Sequence, residues 1–252
     1  MRFRELRKRA RYIAHGDKSL PGLEMDGFRV LNKNTAFLDD PKFNAAWRFA
    51  EQGNKEAWAK LGYVPDVRWR AHVCCWAARN ASKLEGDFVE FGVNAGLFSM
   101  TVCDYLDFDK LDKMFYLFDT YEGIPTEGLS LSEKAIAIKR NNKFYIDVYN
   151  IAKRNFSRFP NTSLVKGALP ETLDATAIEK ISYLSVDLNS ARYEKECIER
   201  VWDRIVPGGH IVLDDYAFKD LEEQYDMWNE FTAKRAHMVL TLPTGQGLII
   251  KH

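Results

Sequence analysis

Pro207-Gly208-Gly209-His210-Ile211-Val212-Leu213-Asp214-Asp215 is the stretch that decides the fold. Its 210–213 segment reads as a buried parallel strand, entered through a tight Pro-Gly-Gly turn and left through two adjacent acids. A second apolar strand, 181–186, also ends on an acid, Asp187. Open α/β sheets bind ligands outside the carboxyl ends of their strands, so three carboxylates are expected to face one crevice. Three unpaired anions at close quarters repel, and a divalent cation is the simplest way to satisfy them. The competing reading is that Asp214 and Asp215 cap the following helix.

Upstream, Asp87-Phe88-Val89-Glu90-Phe91-Gly92-Val93-Asn94-Ala95-Gly96 is a short apolar strand running into a glycine turn, with a helix expected over 97–106. Gly92 and Gly96 would let the backbone turn freely and approach a ligand. The dinucleotide pattern G-x-G-x-x-G is not met, because Glu90 sits two residues before the first glycine. An acid there repels a pyrophosphate and suits a cationic ligand such as S-adenosylmethionine, which carries a sulfonium and an ammonium. A plain strand-turn-helix remains the alternative. The next strand, over 114–118, ends at Asp119, 27 residues after Gly92. An acid at that strand end is where α/β nucleotide folds bind ribose hydroxyls, and Asp119 equally suits capping of the turn 120–125.

Glu90-x-Gly92-x-x-x-Gly96, Phe118-Asp119-Thr120-Tyr121-Glu122-Gly123-Ile124-Pro125, Gly167-x-x-Pro170-Glu171-Thr172-Leu173 and the run from Pro207 to Tyr216 together resemble class I methyltransferases of the macrocin O-methyltransferase type. The resemblance covers roughly residues 84 to 252. It implies a Rossmann-like α/β sheet, S-adenosylmethionine as methyl donor, and a sugar hydroxyl as acceptor with the help of Mg²⁺. It implies cofactor contacts from Glu90, Phe91, Gly92, Asn94, Gly96, Asp119, Thr120 and Gly167, and metal ligation by Asp187, Asp214 and Asp215. One departure matters. The family commonly reads Asp-x-Asp-Leu-Tyr at the fourth strand, where this chain has Ser185-Val186-Asp187-Leu188-Asn189.

Composition fits one compact α/β enzyme with an appendage: 252 residues, 46% of them hydrophobic. Lys+Arg and Asp+Glu are both 36, which leaves no basic footprint for nucleic acid. Cys74, Cys75, Cys103 and Cys197 form no metal spacing and read as reduced, buried thiols. No apolar stretch reaches the ~20 residues of a membrane span, and no signal-peptide core opens the chain, so a cytoplasmic location is expected.

Residues 1–83 are expected to form an N-terminal arm and helical lid, and 84–252 the cofactor-binding domain. Arg2, Arg4, Arg7, Lys8, Arg9 and Arg11 make a basic cluster that reads as a solvated terminus, with an arm contacting a membrane surface, an anionic glycan or a partner chain as the alternative. Segment 16–40 is irregular, with turn signals at Pro21-Gly22 and Asp26-Gly27; helices are expected over 41–52, 54–60 and 67–83. On the last of these, Val73, Trp76, Ala77 and Asn80 follow helical spacing. Arg68, Arg70 and His72 are candidates for contact with the cofactor carboxylate or an acidic acceptor, against a surface ion-pair face. A strand over 161–166 precedes a loop at Gly167 that passes the adenine. A crossover helix is expected over 194–205, a last helix over 221–235, and a terminal antiparallel hairpin from 237–242 and 247–251 around Pro243-Thr244-Gly245-Gln246. The charged segment 129–158 reads as a helical insertion with a solvated face.

The favoured function is a Mg²⁺-dependent O-methyltransferase with Asp187 as base, acting on a small-molecule or glycan acceptor; a homo-oligomer is left open. A metal-independent methyltransferase and a non-catalytic protein that keeps the fold are the alternatives.

Overall fold

The computed structural model describes residues 22–252; the basic cluster between Arg2 and Arg11 lies outside them. The centre is a seven-stranded sheet in the order β5-β4-β3-β6-β7-β9-β8, with β3 Asp87–Phe91, β4 Phe115–Asp119, β5 Thr162–Lys166, β6 Ile181–Val186, β7 Ile205–Leu213, β8 Leu240–Thr241 and β9 Gly247–Ile250. Strands β3 to β7 run parallel to one another, while β9 is antiparallel to both β7 and β8. The chain builds outward from β3 in one direction to β5 and from β6 in the other. The order therefore reverses between β3 and β6, the topological switch point at which open α/β sheets hold their ligands.

Successive residues of these strands feed two cores, one on each face. Phe88, Phe115 and Tyr183 belong to one; Val89, Phe118 and Leu184 belong to the other. The first face is covered by helices α1 (Pro41–Asn54), α2 (Arg68–Ala81) and α3 (Leu97–Leu106). The second core takes Ile198 from α6 (Ala191–Val201) and Trp228 and Phe231 from α7 (Glu222–Ala233). Between β4 and β5 come α4 (Leu131–Lys143) and α5 (Tyr149–Phe156).

The N-terminal third departs from expectation in three ways. Asp26 and Gly27, both at positive φ, close a two-residue turn joining β1 (Gly22–Met25) and β2 (Phe28–Leu31). This hairpin replaces the irregular segment. Of the helices expected over 41–52 and 54–60 only the first forms, as α1, N-capped by Asp40, whose Oδ1 accepts from Phe43 N at 2.7 Å; in place of the second, turns run to Gly62. Helix α2 is part of the main core: Ala71, Cys74, Cys75, Ala77, Ala78 and Ala81 are buried, and small side chains let the helix lie close to the sheet. Trp76 is 45% exposed and outside that face.

At the other end, Pro207-Gly208-Gly209 is a bulge within β7. The register steps from Ile181–Ile205 to Tyr183–His210 across it, and Gly208 takes a φ of 82°. The terminal hairpin forms as expected, with Leu242 N donating to Gln246 O at 2.9 Å. All four cysteines are free and buried. Among the described residues no helix is long and apolar enough to cross a membrane.

The switch point depends on one glycine. Gly92 has a φ of 84°, and a Cβ built on it would lie 1.9 Å from the carbonyl oxygen of Asp187. The glycine is needed so that β3 and β6 can end side by side; the obstacle to a side chain is protein backbone. Gly92→Ala is expected to destabilise the fold by about 2–5 kcal/mol, combining left-handed strain with a backbone clash. Denaturant unfolding checks this, and an unchanged midpoint would contradict it.

Candidate active site

A crevice with about 1120 Å³ of open space lies at the carboxyl ends of β3, β4 and β6, lined by Glu90, Gly92, Asp119, Gly167, Asp187 and Asp214 among others. Asn94 and Thr120 also line it. Two expected cofactor residues sit elsewhere. Phe91 is 1% exposed and packs on Phe118 in the second core, because its neighbour Glu90 takes the crevice-facing side of β3. Gly96, at a φ of 93°, lies under the ring of Phe156, 2.5 Å from where its Cβ would stand.

Asp119 organises the glycine turn. Its Oδ2 accepts from Val93 N at 2.6 Å and Asn94 N at 2.7 Å, and its Oδ1 accepts from Tyr121 N at 2.6 Å. The turn-capping reading of this acid is thus realised, and it links the ends of β3 and β4. Thr120 Oγ1 donates to Gly123 O at 2.6 Å and closes the same turn.

Glu90 is 3% exposed and its Oε2 has no hydrogen-bond partner among the described residues. Burial pushes its carboxyl up to about 8, offset in part by the neighbouring Ser99 hydroxyl. A second acceptor faces the same need. Asn54, at the C-terminus of α1, is 1% exposed; its Nδ2 donates to Ala50 O at 2.9 Å, which fixes the amide and leaves Oδ1 unpartnered among the described residues. Asn155 Nδ2 bolts this helix end to the glycine turn, donating to Gly53 O at 3.1 Å and Ala95 O at 2.8 Å. Two buried acceptors on one crevice wall call for a ligand that brings donors and positive charge. The ammonium of S-adenosylmethionine fits that requirement.

Asp187, Asp214 and Asp215 place carboxylate oxygens within 4.8 Å of one another. Asp214 and Asp215 are buried, and Asp187 is partly exposed on the crevice wall. Two arginines approach this cluster. Arg70 donates from Nη1 to Asp214 Oδ2 and forks onto Asp26 of the β1–β2 turn, at 2.7 Å from Nε and 3.1 Å from Nη2. Arg140 on α4 donates to Asp215 Oδ2 at 3.0 Å. Burial, then the neighbouring charges of Asp215 and Asp214, push the Asp187 carboxyl well above the carboxylate range. Burial raises Asp214 to about 6, with Arg70 pulling it back. Burial works against the charge of Arg70, but Asp214 and Asp26 outweigh it and hold its pKa above the ordinary value. With all four acids ionised, Asp26, Asp187, Asp214 and Asp215 face two guanidiniums, a surplus of two negative charges. Oxygen-only donors with that surplus fit a hard divalent cation such as Mg²⁺. Asn189 Nδ2 donates to Asp187 Oδ1 at 2.9 Å, and Gln246 Nε2 to Asp214 Oδ1 at 3.0 Å.

Of the three cationic candidates on α2, Arg70 alone reaches the site. Arg68 forks onto Asp66, and His72 packs on Phe37 and Phe43. Residues 68 and 72 share a helix face that position 70, some 200° round, cannot share; that geometry was available from spacing alone. Asp26, Asn54 and Arg140 were not singled out from sequence. Arg140 corrects the reading of 129–158 as a solvated face.

A family model described as macrocin-O-methyltransferase (TylF) matches residues 32–239. No curated protein matches the chain by sequence. Among solved structures, the O-methyltransferase NovP superposes with a TM-score of 0.69 at 17% identity, over 86% of this chain and 99% of that one. CalS11, a TDP-rhamnose 3′-O-methyltransferase of calicheamicin biosynthesis, gives 0.53 at 12%, over 87% and 96%. An O-methyltransferase from Bacillus cereus, solved with S-adenosylhomocysteine, gives 0.55 at 11%, over 81% and 91%.

Glu90 yields a pH prediction. Its folded pKa of about 8 stands above an unfolded value of about 4.3, so its contribution to the ligand-free fold is complete below about 4.3 and is lost as pH rises through about 8. Glu90→Gln should flatten that part of the stability–pH curve and weaken binding of S-adenosylhomocysteine. Thermal melts between those pH values, with calorimetry of the ligand, check both; an unaltered curve would contradict the assignment.

Proposed function

The chain belongs to the macrocin O-methyltransferase family, whose members are S-adenosylmethionine-dependent, and from that premise we propose that it methylates a hydroxyl of a sugar or glycosylated metabolite with Mg²⁺ held by Asp187, Asp214 and Asp215. The observation that carries the metal is the cluster itself: three carboxylates within 4.8 Å, facing a crevice, left with surplus negative charge after Arg70 and Arg140 are counted. The sugar acceptor is supported by the description of CalS11 as a TDP-rhamnose 3′-O-methyltransferase, a protein of similar fold.

In this reading Glu90 and Asn54 would hold the ammonium of the methyl donor in the crevice they line, and the donor would supply an electrophilic sulfonium methyl there. A sugar hydroxyl ionises far above pH 7. Bound Mg²⁺ supplies a Lewis acid that lowers that pKa and fixes the oxygen. Asp187, on the crevice wall and held by Asn189, takes the hydroxyl proton while the acceptor oxygen bonds to the methyl carbon. The sulfur–methyl bond breaks and its electrons stay on sulfur, leaving a neutral thioether. Holding oxygen and methyl carbon in line contributes much of the acceleration. Residues 22–67 act as a lid in this account, since Asn54, Trp58 and Pro65 line the crevice. Residue 185, where the family commonly carries an acid, is a buried serine here, so proton transfer falls to Asp187.

Radiolabelled methyl transfer to a panel of nucleotide sugars tests the proposal. Turnover with at least one sugar is expected, with EDTA abolishing it and Mg²⁺ restoring it. Asp187→Asn and Asp215→Asn should each retain cofactor binding while turnover drops by about 10²-fold or more. Full turnover under chelation would overturn the metal and leave the metal-independent reading.

A further inference from the structure

Asn189 faces two cavities. One is the crevice; the other, with about 390 Å³ of open space, lies between α4, the loop after β6 and the start of α7, lined by Glu133, Asn189, Glu222, Glu223 and Gln224 among others. Both amides in this second cavity have their orientation fixed by carboxylates. Asn189 Nδ2 donates to Asp187, and Gln224 Nε2 donates to Glu194 Oε1 at 2.7 Å. An amide that gives its N–H₂ group to a carboxylate must turn its oxygen the other way. Asn189 Oδ1 and Gln224 Oε1 are both without a hydrogen-bond partner among the described residues, in side chains 5% and 2% exposed. A buried carbonyl oxygen without a partner forfeits its hydration unpaid, and here two of them line one small space.

The acids of this cavity also lack compensation. Among the described residues, Glu133, Glu222 and Glu223 have no ion pair with Lys or Arg. Their partners are neutral donors: Ser190 Oγ at 3.0 Å and Ser130 N at 3.1 Å for Glu133, Ser132 Oγ and Ser130 Oγ, the latter at 3.1 Å, for Glu223, and Asp220 N at 3.2 Å for Glu222. Glu222 and Glu223 open helix α7, where acids suit the positive end of the helix dipole. The dipole explains two of the acids, and a capping box with Ser130 at the start of α4 explains Glu133; neither accounts for the amide oxygens.

We propose that this second cavity is a cation site, in which Asn189 Oδ1 and Gln224 Oε1, surrounded by the Glu133, Glu222 and Glu223 carboxylates, take a hard divalent cation of the Ca²⁺ type, separate from the Asp187–Asp214–Asp215 cluster. Mixed carboxylate and amide oxygens are the donors Ca²⁺ favours. The site is coupled to the crevice through Asn189. A cation on Oδ1 holds the amide in the orientation that donates to Asp187, so the second site positions the proposed base without touching the acceptor.

The test uses Ca²⁺ calorimetry and Tb³⁺ luminescence, with Trp228 as sensitiser because its Nε1 donates to Glu194 at 2.6 Å, beside Gln224. In Asp214→Asn/Asp215→Asn, one Ca²⁺ per chain should still bind. Adding Glu222→Gln/Glu223→Gln, two exposed positions, should weaken it at least tenfold, and Gln224→Leu should do the same. Since Gln224→Leu strands Glu194, the exposed pair decides the matter if that variant fails to fold. In the wild-type chain, the same exposed pair should lower Trp228-sensitised Tb³⁺ emission by half or more. The proposal is overturned if the Asp214→Asn/Asp215→Asn protein binds no Ca²⁺, or if binding and emission are unchanged in the exposed pair. Either result leaves the methyltransferase reading untouched, because that reading stands on the other cluster.

Discussion

Asp187, Asp214 and Asp215 bring three carboxylates to adjoining strand ends, and much of the chain is arranged around the electrostatic cost of keeping them there. Isolated buried charges are expensive, and the sheet itself offers no countercharge. The compensation comes from two distant places, and a third anchors one of them. Arg70 arrives on the core helix α2, Arg140 on the insertion between β4 and β5, and Asp26 on the N-terminal hairpin pins the far side of Arg70. These contacts tie the appendages to the catalytic edge, so the segments outside the sheet are functional parts of the site's electrostatics. The remaining negative charge is what the proposed cation would offset.

The same edge shows how backbone constraints set up the chemistry. Gly92 lets β3 end against Asp187, which brings the Glu90 strand and the acid-bearing strand together at the switch point. Asp119 then fixes the turn beyond Gly92 by accepting from Val93 and Asn94. Asn155 fixes the end of α1 against that turn. Glu90 and Asn54 are thereby held in the lining of one crevice, each with an oxygen that has no partner among the described residues. A site built from pre-positioned acceptors needs little rearrangement on binding, which is the condition for precise methyl transfer.

Much of this was legible in the sequence, because strand hydrophobicity and strand-end acids are local signals. The apolar runs of β3, β4, β6 and β7, their terminal acids and the closing hairpin all follow from patterns a few residues long. The partners of those acids were not legible. Arg140 sits in a charged helix that looks solvated, and its pairing with Asp215 spans 75 residues. Asp26 reads as an ordinary turn acid until the hairpin places it under Arg70. Asn54 reads as a helix-end residue, and its free oxygen is defined only by the bond its own nitrogen makes to Ala50. The selection of Arg70 over Arg68 and His72 was accessible from helix geometry. Phe91 shows the converse error: adjacency to Glu90 in sequence places it on the opposite face of the strand.

The central claim is that the carboxylate cluster is a cation site, and thermal stability as a function of Mg²⁺ concentration tests it most directly, since a ligand that binds the folded state alone raises the melting temperature by mass action. For the wild-type chain the melting temperature should climb with Mg²⁺, and the part of that rise owed to the cluster should vanish in Asp187→Asn and in Asp215→Asn. A rise of equal size in the wild type and both variants, or no rise at all, would contradict the account.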